Sequence, residues 1–260
     1  MVLEEGNSNP LLTPSDGPPV AVENQAGAAA VLLICEHASA ALPKALDDLG
    51  LSRDDLNSHV AWDPGALAVA RTMAKALDAA LVAARFSRLA YDCNRSPERA
   101  DAVTARSERV DVPGNAGLSQ DERARRAAAI GQPFHDTLAA MIASRSPQAL
   151  VSIHTFTPVY DGQRREVELG ILHDVDSRLA DALLERAEQM TGLRPERNAP
   201  YGPADGVTHT LRTHALPRGL ANVMLEIRSD LVPDTQSQER VGQDLAALLR
   251  AGLDALDEET

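Results

Sequence analysis

Two histidines each close an apolar run: His37 follows VLLICE, and His154 follows ALVSI. Imidazoles delivered from two separate strands suit a first-row metal ion, zinc above all. A catalytic zinc needs a third protein ligand, commonly a carboxylate, and an open position for water. Asp63 in HVAWDPGA and Glu36 beside His37 are the candidates. Each has a competing use. Asp followed by Pro also fits a helix N-cap with proline at the first helical position. Neighbours on an extended strand point to opposite faces, so Glu36 and His37 share an ion only where the strand has already ended. A histidine at a strand end also serves as an ordinary hydrogen-bonded boundary residue, so spacing alone leaves the ligand set open.

Glu226 lies inside the apolar run ANVMLEI. An ionisable group there needs a partner or an altered pKa. With a raised pKa it could take a proton from an attacking water and return it to a leaving amine. The competing use is a buried ion pair with Arg228, Arg88 or Arg95. The stretch SRLAYDCNRSPERAD, residues 87–101, gathers arginines, Asp92 and Asn94 around a short apolar run. A guanidinium at a strand end is well suited to hold a carboxylate through its planar fork. His59, His135, His173, His209 and His214 have weaker contexts, and PYGPADGV with Tyr201 reads as a loop near a ligand or as a surface turn.

The elements that must carry these residues alternate. VLLIC (31–35), ALVAARF (80–86), RLAYD (88–92), ALVSIH (149–154), VELGILH (167–173) and ANVMLEI (221–227) read as strands, several apolar throughout and so covered on both faces. Helices are expected over 64–79, 119–145, 177–192 and 237–256. Ser119 with Glu122 makes a capping box, Ser237 with Arg240 a poorer one, and Gly192 a helix stop. Such alternation predicts an α/β fold, a mixed β-sheet sandwiched by helices, with ligands gathering at the carboxyl ends of strands. Residues 1–28, rich in Pro, Gly, Asn and Ser, read as a flexible N-terminal tail ahead of a single domain over 29–257. The irregular stretch 94–120 could serve as a site loop.

Composition narrows the class. Apolar residues make up 44% of the 260, enough for a substantial core. With 25 basic against 38 acidic residues and a net charge of -13, the chain offers no footprint for nucleic acid or an anionic membrane. Cys35 and Cys93 sit in apolar runs without CxxC spacing and read as buried free thiols. No segment has the make-up of a signal peptide or of the roughly 18-residue apolar run of a spanning helix, so a cytoplasmic location is expected. The long helices could provide a homo-oligomer interface.

Six motifs in order, CEHAS, AWDPGA, SRLAYDCNR, PGNAGLS, SIHTFTP and VMLEIRSDL, resemble the N-formylglutamate amidohydrolases, over about residues 31–250. That family is similar to the zinc carboxypeptidases and zinc acylases, which implies a zinc-carboxypeptidase-like (phosphorylase/hydrolase-like) mixed sheet. The resemblance implies one zinc ion held by His37, His154 and a carboxylate, with Glu226 as general acid/base. It makes Asn94 and Arg95 the clamp on the substrate's carboxylate and Arg88 a second clamp or oxyanion stabiliser. The sequence departs from the carboxypeptidase pattern three residues after the first histidine, where HASA has alanine in place of the acidic ligand. Asp63 is the substitute. A glutamate side chain would need a second cationic contact, for which Arg88, Arg228 and Arg212 are all available, and Tyr201 is a further expected substrate contact. The implied reaction is hydrolysis of the amide of an N-formyl or other N-acyl amino acid, N-formyl-L-glutamate foremost. Another N-acyl amino acid deacylase, a carboxypeptidase-like enzyme for small substrates, and a non-catalytic ligand-binding relative are the alternatives.

Overall fold

The computed structural model describes residues 10–258, and a seven-stranded mixed sheet runs through its centre. In chain order the strands are β1 (Val20–Glu23), β2 (Val31–Cys35), β3 (Ala80–Ala84), β4 (Arg106–Ser107), β5 (Val110–Asp111), β6 (Ala149–Phe156), β7 (Val159–Tyr160), β8 (Gln163–Arg164), β9 (Leu169–Leu172), β10 (Pro195–Arg197) and β11 (Ala221–Arg228). The central sheet has the order β1-β3-β2-β6-β11-β9-β10, while β4-β5 and β7-β8 are separate two-stranded hairpins. Strands β3, β2, β6 and β11 run parallel; β1 is antiparallel to β3, and β9 is antiparallel to β11.

The helices are α1 (Arg53–Asn57), α2 (Ala66–Leu77), α3 (Gln120–Arg126), α4 (Gln132–Arg145), α5 (Arg178–Leu184), α6 (Ala187–Thr191) and α7 (Thr235–Glu258). Strand alternation sorts the core into two layers. Val31, Leu33 and Cys35 of β2 join the cluster under α2, α5 and α7, whereas Leu32 and Ile34 join the cluster under α4. On α4 the buried side chains are Phe134, Leu138, Met141 and Ile142, spaced by three and four residues on one helical face. Burying each contributes roughly 1.5–3 kcal/mol. Both faces of the central strands are covered, as their unbroken apolar composition predicts.

Several elements differ from the expectation. Residues 88–92 form a buried turn rather than a strand, because the Ser87 hydroxyl donates to Ala61 O at 2.6 Å and the Ala90 amide closes back on Ser87 O. Leu89, Ala90 and Tyr91 are buried all the same. Part of the expected tail is ordered: Leu11 is buried and Val20–Glu23 pairs with β3 as an edge strand; residues 1–9 lie outside the described chain. The helix over 119–145 passes through a π-helical turn at Ala127–Gly131, where Gly131 packs against the Tyr91 ring. The 177–192 segment is two helices, α5 and α6, and Gly192 ends the second in a left-handed conformation (φ 66). The Ser119–Glu122 capping box is present, but α7 begins at Thr235 and it is Asp234 that accepts from the Ser237 amide.

Candidate metal centre and active site

Four parallel strands end on the same side of the sheet, and their following residues converge. Glu36 and His37 lie in the turn immediately after β2, Asp63 in the turn before α2, and His154 on β6. The Asp63 amide donates to His37 O at 3.0 Å, which ties the two turns together. Gly65, not Asp63, occupies the N-cap of α2, so the Asp63 carboxylate is released from capping.

The side chains form a closed cluster. Asp63 Oδ2 lies 2.8 Å from His154 Nδ1 and 3.4 Å from His37 Nδ1. His37 Nε2 lies 2.8 Å from Asp92 Oδ1, and His154 Nε2 lies 3.1 Å from Glu36 Oε2. With Asp92 and Glu36 accepting from Nε2–H, the Nδ1 atoms are the ones that face Asp63, and each could ligate an ion through its lone pair once its own proton is lost. This is the arrangement in which an outer carboxylate fixes the tautomer of a ligating histidine. It also separates the two candidate third ligands. Asp63 lines the cavity, whereas Glu36 sits on the far nitrogen of His154 and accepts from the Ser152 hydroxyl at 2.6 Å. His37, Asp63 and His154, all buried, offer ligand atoms within 4.8 Å of one another. The donor set, two imidazole nitrogens and a carboxylate oxygen, fits a divalent ion such as zinc; Arg88 Nη1 reaches its edge, 3.4 Å from His37 Nδ1.

The electrostatics agree with that fit. Burial alone would lower the His154 pKa, yet the Glu36 charge and the Asp63 hydrogen bond raise it well above its ordinary value. His37 is likewise raised, with burial outweighed by Asp92 and Asp63. Burial would raise Asp63, but His37 and Arg88 hold it far below the carboxylate range. The cluster therefore attracts positive charge. Arg88 supplies part of it, with Nη1 3.1 Å from Asp63 Oδ1, Nε donating to Val60 O at 3.1 Å and Nη2 donating to His59 O.

Glu226 behaves differently. It is buried, its Oε2 has no hydrogen-bond partner, and desolvation pushes its pKa up to about 7. A carboxyl group at that value can both take and give a proton near neutrality. It shares with His37, Asp63, His154 and Arg88 a cavity of about 340 Å³.

The proposed substrate contacts fare unequally. Arg95 lines the cavity, but the carboxylate it holds is that of Asp101, with Nε 3.1 Å from Oδ2. Asn94 also lines it, yet its amide braces backbone: Nδ2 donates to Val207 O, and Oδ1 accepts from the Thr210 amide at 3.0 Å. Tyr201 faces the cavity and accepts from Arg165 Nη1 at 2.8 Å. Arg228 is not among the residues lining the cavity. Its guanidinium is engaged by Asp230 at 2.8 Å, by Glu168, and by the carbonyls of Arg165, Glu166 and Val167. The reason is local: β11 ends at Arg228, whose amide already donates to Glu168 O. Arg212 is exposed, 3.9 Å from Asp174, and also away from the cavity.

The other histidines separate into three settings. His59 pairs with Glu108 at 2.8 Å on the cavity wall, while His135, His209 and His214 pack together, with His135 Nδ1 2.9 Å from His214 Nε2. His173 meets Arg197 Nη1 at 2.9 Å. Sequence reasoning did not give Asp92 and Glu36 their places behind the two histidines. Its one available signal was that each closes an apolar run, VLLIC for Glu36 and RLAY for Asp92.

Residues 29–232 match the family described as N-formylglutamate amidohydrolase. The fold superposes on a gene product of Agrobacterium tumefaciens with a TM-score of 0.92 and 52% identity, covering 95% of this chain and 99% of that one. It also superposes on an N-formylglutamate amidohydrolase from Ralstonia eutropha JMP134, with a TM-score of 0.61 and 20% identity over 93% of this chain and 99% of that one. The second likeness is one of fold. No curated protein matches the chain. Among the described residues, no helix is long and apolar enough to cross a membrane.

Proposed function

The chain belongs to the N-formylglutamate amidohydrolase family, and from that premise we propose that it is a zinc-dependent hydrolase of N-acyl amino acids, with N-formyl-L-glutamate as the foremost substrate. The supporting observation is one cavity that combines the His37–Asp63–His154 set with a buried Glu226 whose carboxyl group has one unpartnered oxygen and a pKa near 7.

In this reading His37 Nδ1, His154 Nδ1 and Asp63 hold the ion, and Asp92 and Glu36 keep the two rings oriented. Bound there, zinc would supply Lewis acidity, polarising the acyl carbonyl and acidifying water. Glu226 accepts the proton of the attacking water and delivers it to the leaving nitrogen, for which a pKa near 7 gives the greatest advantage at neutral pH. Arg88, fixed by the carbonyls of residues 59 and 60, presents a permanent positive charge beside Asp63 where the carbonyl oxygen gains charge. Asn94 braces the 207–210 segment, of which Val207 lines the cavity, and Tyr201 contacts the substrate from the same wall.

The test combines metal content with product. Purified protein is incubated with zinc and N-formyl-L-glutamate, with N-acetylglutamate and N-formylaspartate as comparisons. One equivalent of zinc together with formate release selective for N-formyl-L-glutamate is expected. Bound zinc without release from any N-acyl amino acid would remove the hydrolase reading, and a protein that binds no divalent ion would remove its mechanism.

A further inference from the structure

Arg165 belongs to a charged stretch, QRREVE, that the motifs do not include. Its guanidinium lies over three aromatic rings, 4.6 Å from the Tyr160 centroid, 4.7 Å from Tyr201 and 5.6 Å from Phe156. All three rings line the cavity that contains Glu226, and Arg165 itself stands outside that lining, against the rings. The chain has only three tyrosines and three phenylalanines, so gathering three of them around one arginine is a concentrated use of a scarce residue type. Cation–π contact and planar stacking hold a guanidinium in place without neutralising it.

The arginines on the cavity wall itself each have a carboxylate of the protein beside them. Arg88 lies 3.1 Å from Asp63, Arg95 3.1 Å from Asp101 and Arg106 2.8 Å from Asp111. Arg165 has no carboxylate partner among the described residues; its Nη1 donates to Tyr201 Oη at 2.8 Å and to Thr157 O at 3.5 Å. Among the described residues Nε and Nη2 make no hydrogen bond, and neither is among the fully buried atoms left without a partner, so neither is sealed from solvent. These two groups form one edge of the guanidinium plane, the edge that binds a carboxylate with two parallel hydrogen bonds.

We propose that Arg165, whose guanidinium lies over the Tyr160 and Tyr201 rings at the border of the cavity, is the residue that recognises a carboxylate of the acylated amino acid. The inference rests on the amidohydrolase reading for its ligand class. An arginine already neutralised by the protein must break an ion pair before it can take a substrate carboxylate, and Arg165 has none to break. A glutamate derivative offers two such groups, on the α-carbon and on the side chain, and the same fork suits either. Tyr201 links this recognition to the chemistry, because its ring faces the cavity shared with Glu226 while its hydroxyl accepts from Arg165.

The experiment is titration calorimetry of the zinc-loaded protein with L-glutamate, L-glutamine and L-isoglutamine, none of which carries a scissile acyl group. Arg165→Met should weaken L-glutamate at least tenfold and abolish the preference over one of the two mono-amides, which identifies the carboxylate that is read. Arg165→Lys keeps the charge without the fork and should fall between; it carries the test if the Met variant does not fold. In turnover of N-formyl-L-glutamate, KM should rise at least tenfold while kcat stays within threefold. Equal L-glutamate affinities in wild type and variants would overturn the inference, as would a wild type that binds none of the three. Failure of the function is distinguishable: a wild type that binds L-glutamate through Arg165 but hydrolyses none of the N-acyl amino acids keeps the site and removes the hydrolase reading, while turnover with unchanged KM in Arg165→Met does the reverse.

Discussion

Glu226 stands directly across the β6–β11 ladder from His154, the two paired in register between parallel strands. In-register neighbours on adjacent strands project to the same face of a sheet. The proposed proton carrier and one proposed metal ligand are thus held side by side by backbone hydrogen bonds rather than by loops. Strand β9 pairs on the other side of β11, where Gly170 is the partner of Glu226. The carboxyl group therefore has an imidazole on one side and no side chain on the other.

The first prediction concerns that carboxyl group. Glu226→Gln keeps the shape and removes the proton carrier, so kcat should fall by about 10²–10⁴-fold. Zinc content should stay at the wild-type level, because the proposed ligands are His37, Asp63 and His154. Stability should not drop, since burial already disfavours the charged form of this glutamate. Metal analysis beside single-turnover kinetics checks both parts; retained hydrolysis would remove Glu226 from its role.

A second prediction separates the outer carboxylates from the ligands. Asp92→Asn leaves His37 in place but weakens the hold on its Nε2–H, now 2.8 Å from Asp92 Oδ1. Loss of such a partner lowers metal affinity roughly 10–100-fold. Asp63→Asn should cost more, since it alters a ligand. Competition against a zinc chelator ranks the three proteins, and an Asp92→Asn affinity equal to wild type would contradict the proposed outer role.

How much of this was legible in the sequence depends on what makes a residue stand out. His37, His154 and Glu226 interrupt or close apolar runs, so their strands and their shared end of the sheet could be inferred from pattern alone. Asp63 was ambiguous because Asp-Pro is also a helix start; tertiary contacts, with Gly65 taking the cap, decided its use. RLAYD has strand composition, but composition does not show that the Ser87 hydroxyl bends the chain there. Arg165 carries no pattern at all, being one of several charges in QRREVE. Its distinction is a guanidinium that lies over three cavity-lining rings with no carboxylate partner among the described residues, a combination that exists only once the chain is folded.

The third prediction is a pH dependence of stability. Burial lowers the pKa of His209 and His214 from 6.5 to about 4, with repulsion from His135 second for each. Above pH 6.5 these rings are neutral in both folded and unfolded chains, and their contribution is level. As pH falls from 6.5 toward 4 the unfolded chain binds protons that the folded one refuses, so stability declines across that window and levels off below it. His209→Gln removes one titrating ring and should flatten the decline. Urea midpoints at pH 7.5, 6.0, 5.0 and 4.0 measure it; parallel curves for variant and wild type would show that the cluster does not set the slope.

The last prediction tests the vacancy beside Glu226. A Cβ at Gly170 would collide with Ala199 O, approach Leu172 Cδ1 to 2.9 Å and reach Glu226 Cβ at 3.1 Å. Ala199 O is backbone, so the collision cannot be relieved by turning a side chain, and either β9 or the 198–200 segment must shift. Overpacking of a buried site typically costs about 1–3 kcal/mol, and Gly170→Ala should lose at least that much. The shift also bears on the site, because β9 is hydrogen-bonded to β11 at Glu226 and the 198–200 segment leads into Tyr201. We therefore expect kcat to fall along with stability, with zinc content unchanged since His37, Asp63 and His154 lie on other elements. Gly192→Ala is the control: nothing lies within 4 Å of its Cβ, but its φ of +66 strains any side chain. It should lose stability by strain alone and leave kcat unaltered. Chemical denaturation and steady-state kinetics on the two variants distinguish the cases. Equal kcat in both would mean that the empty place opposite Glu226 serves packing and not the proton carrier.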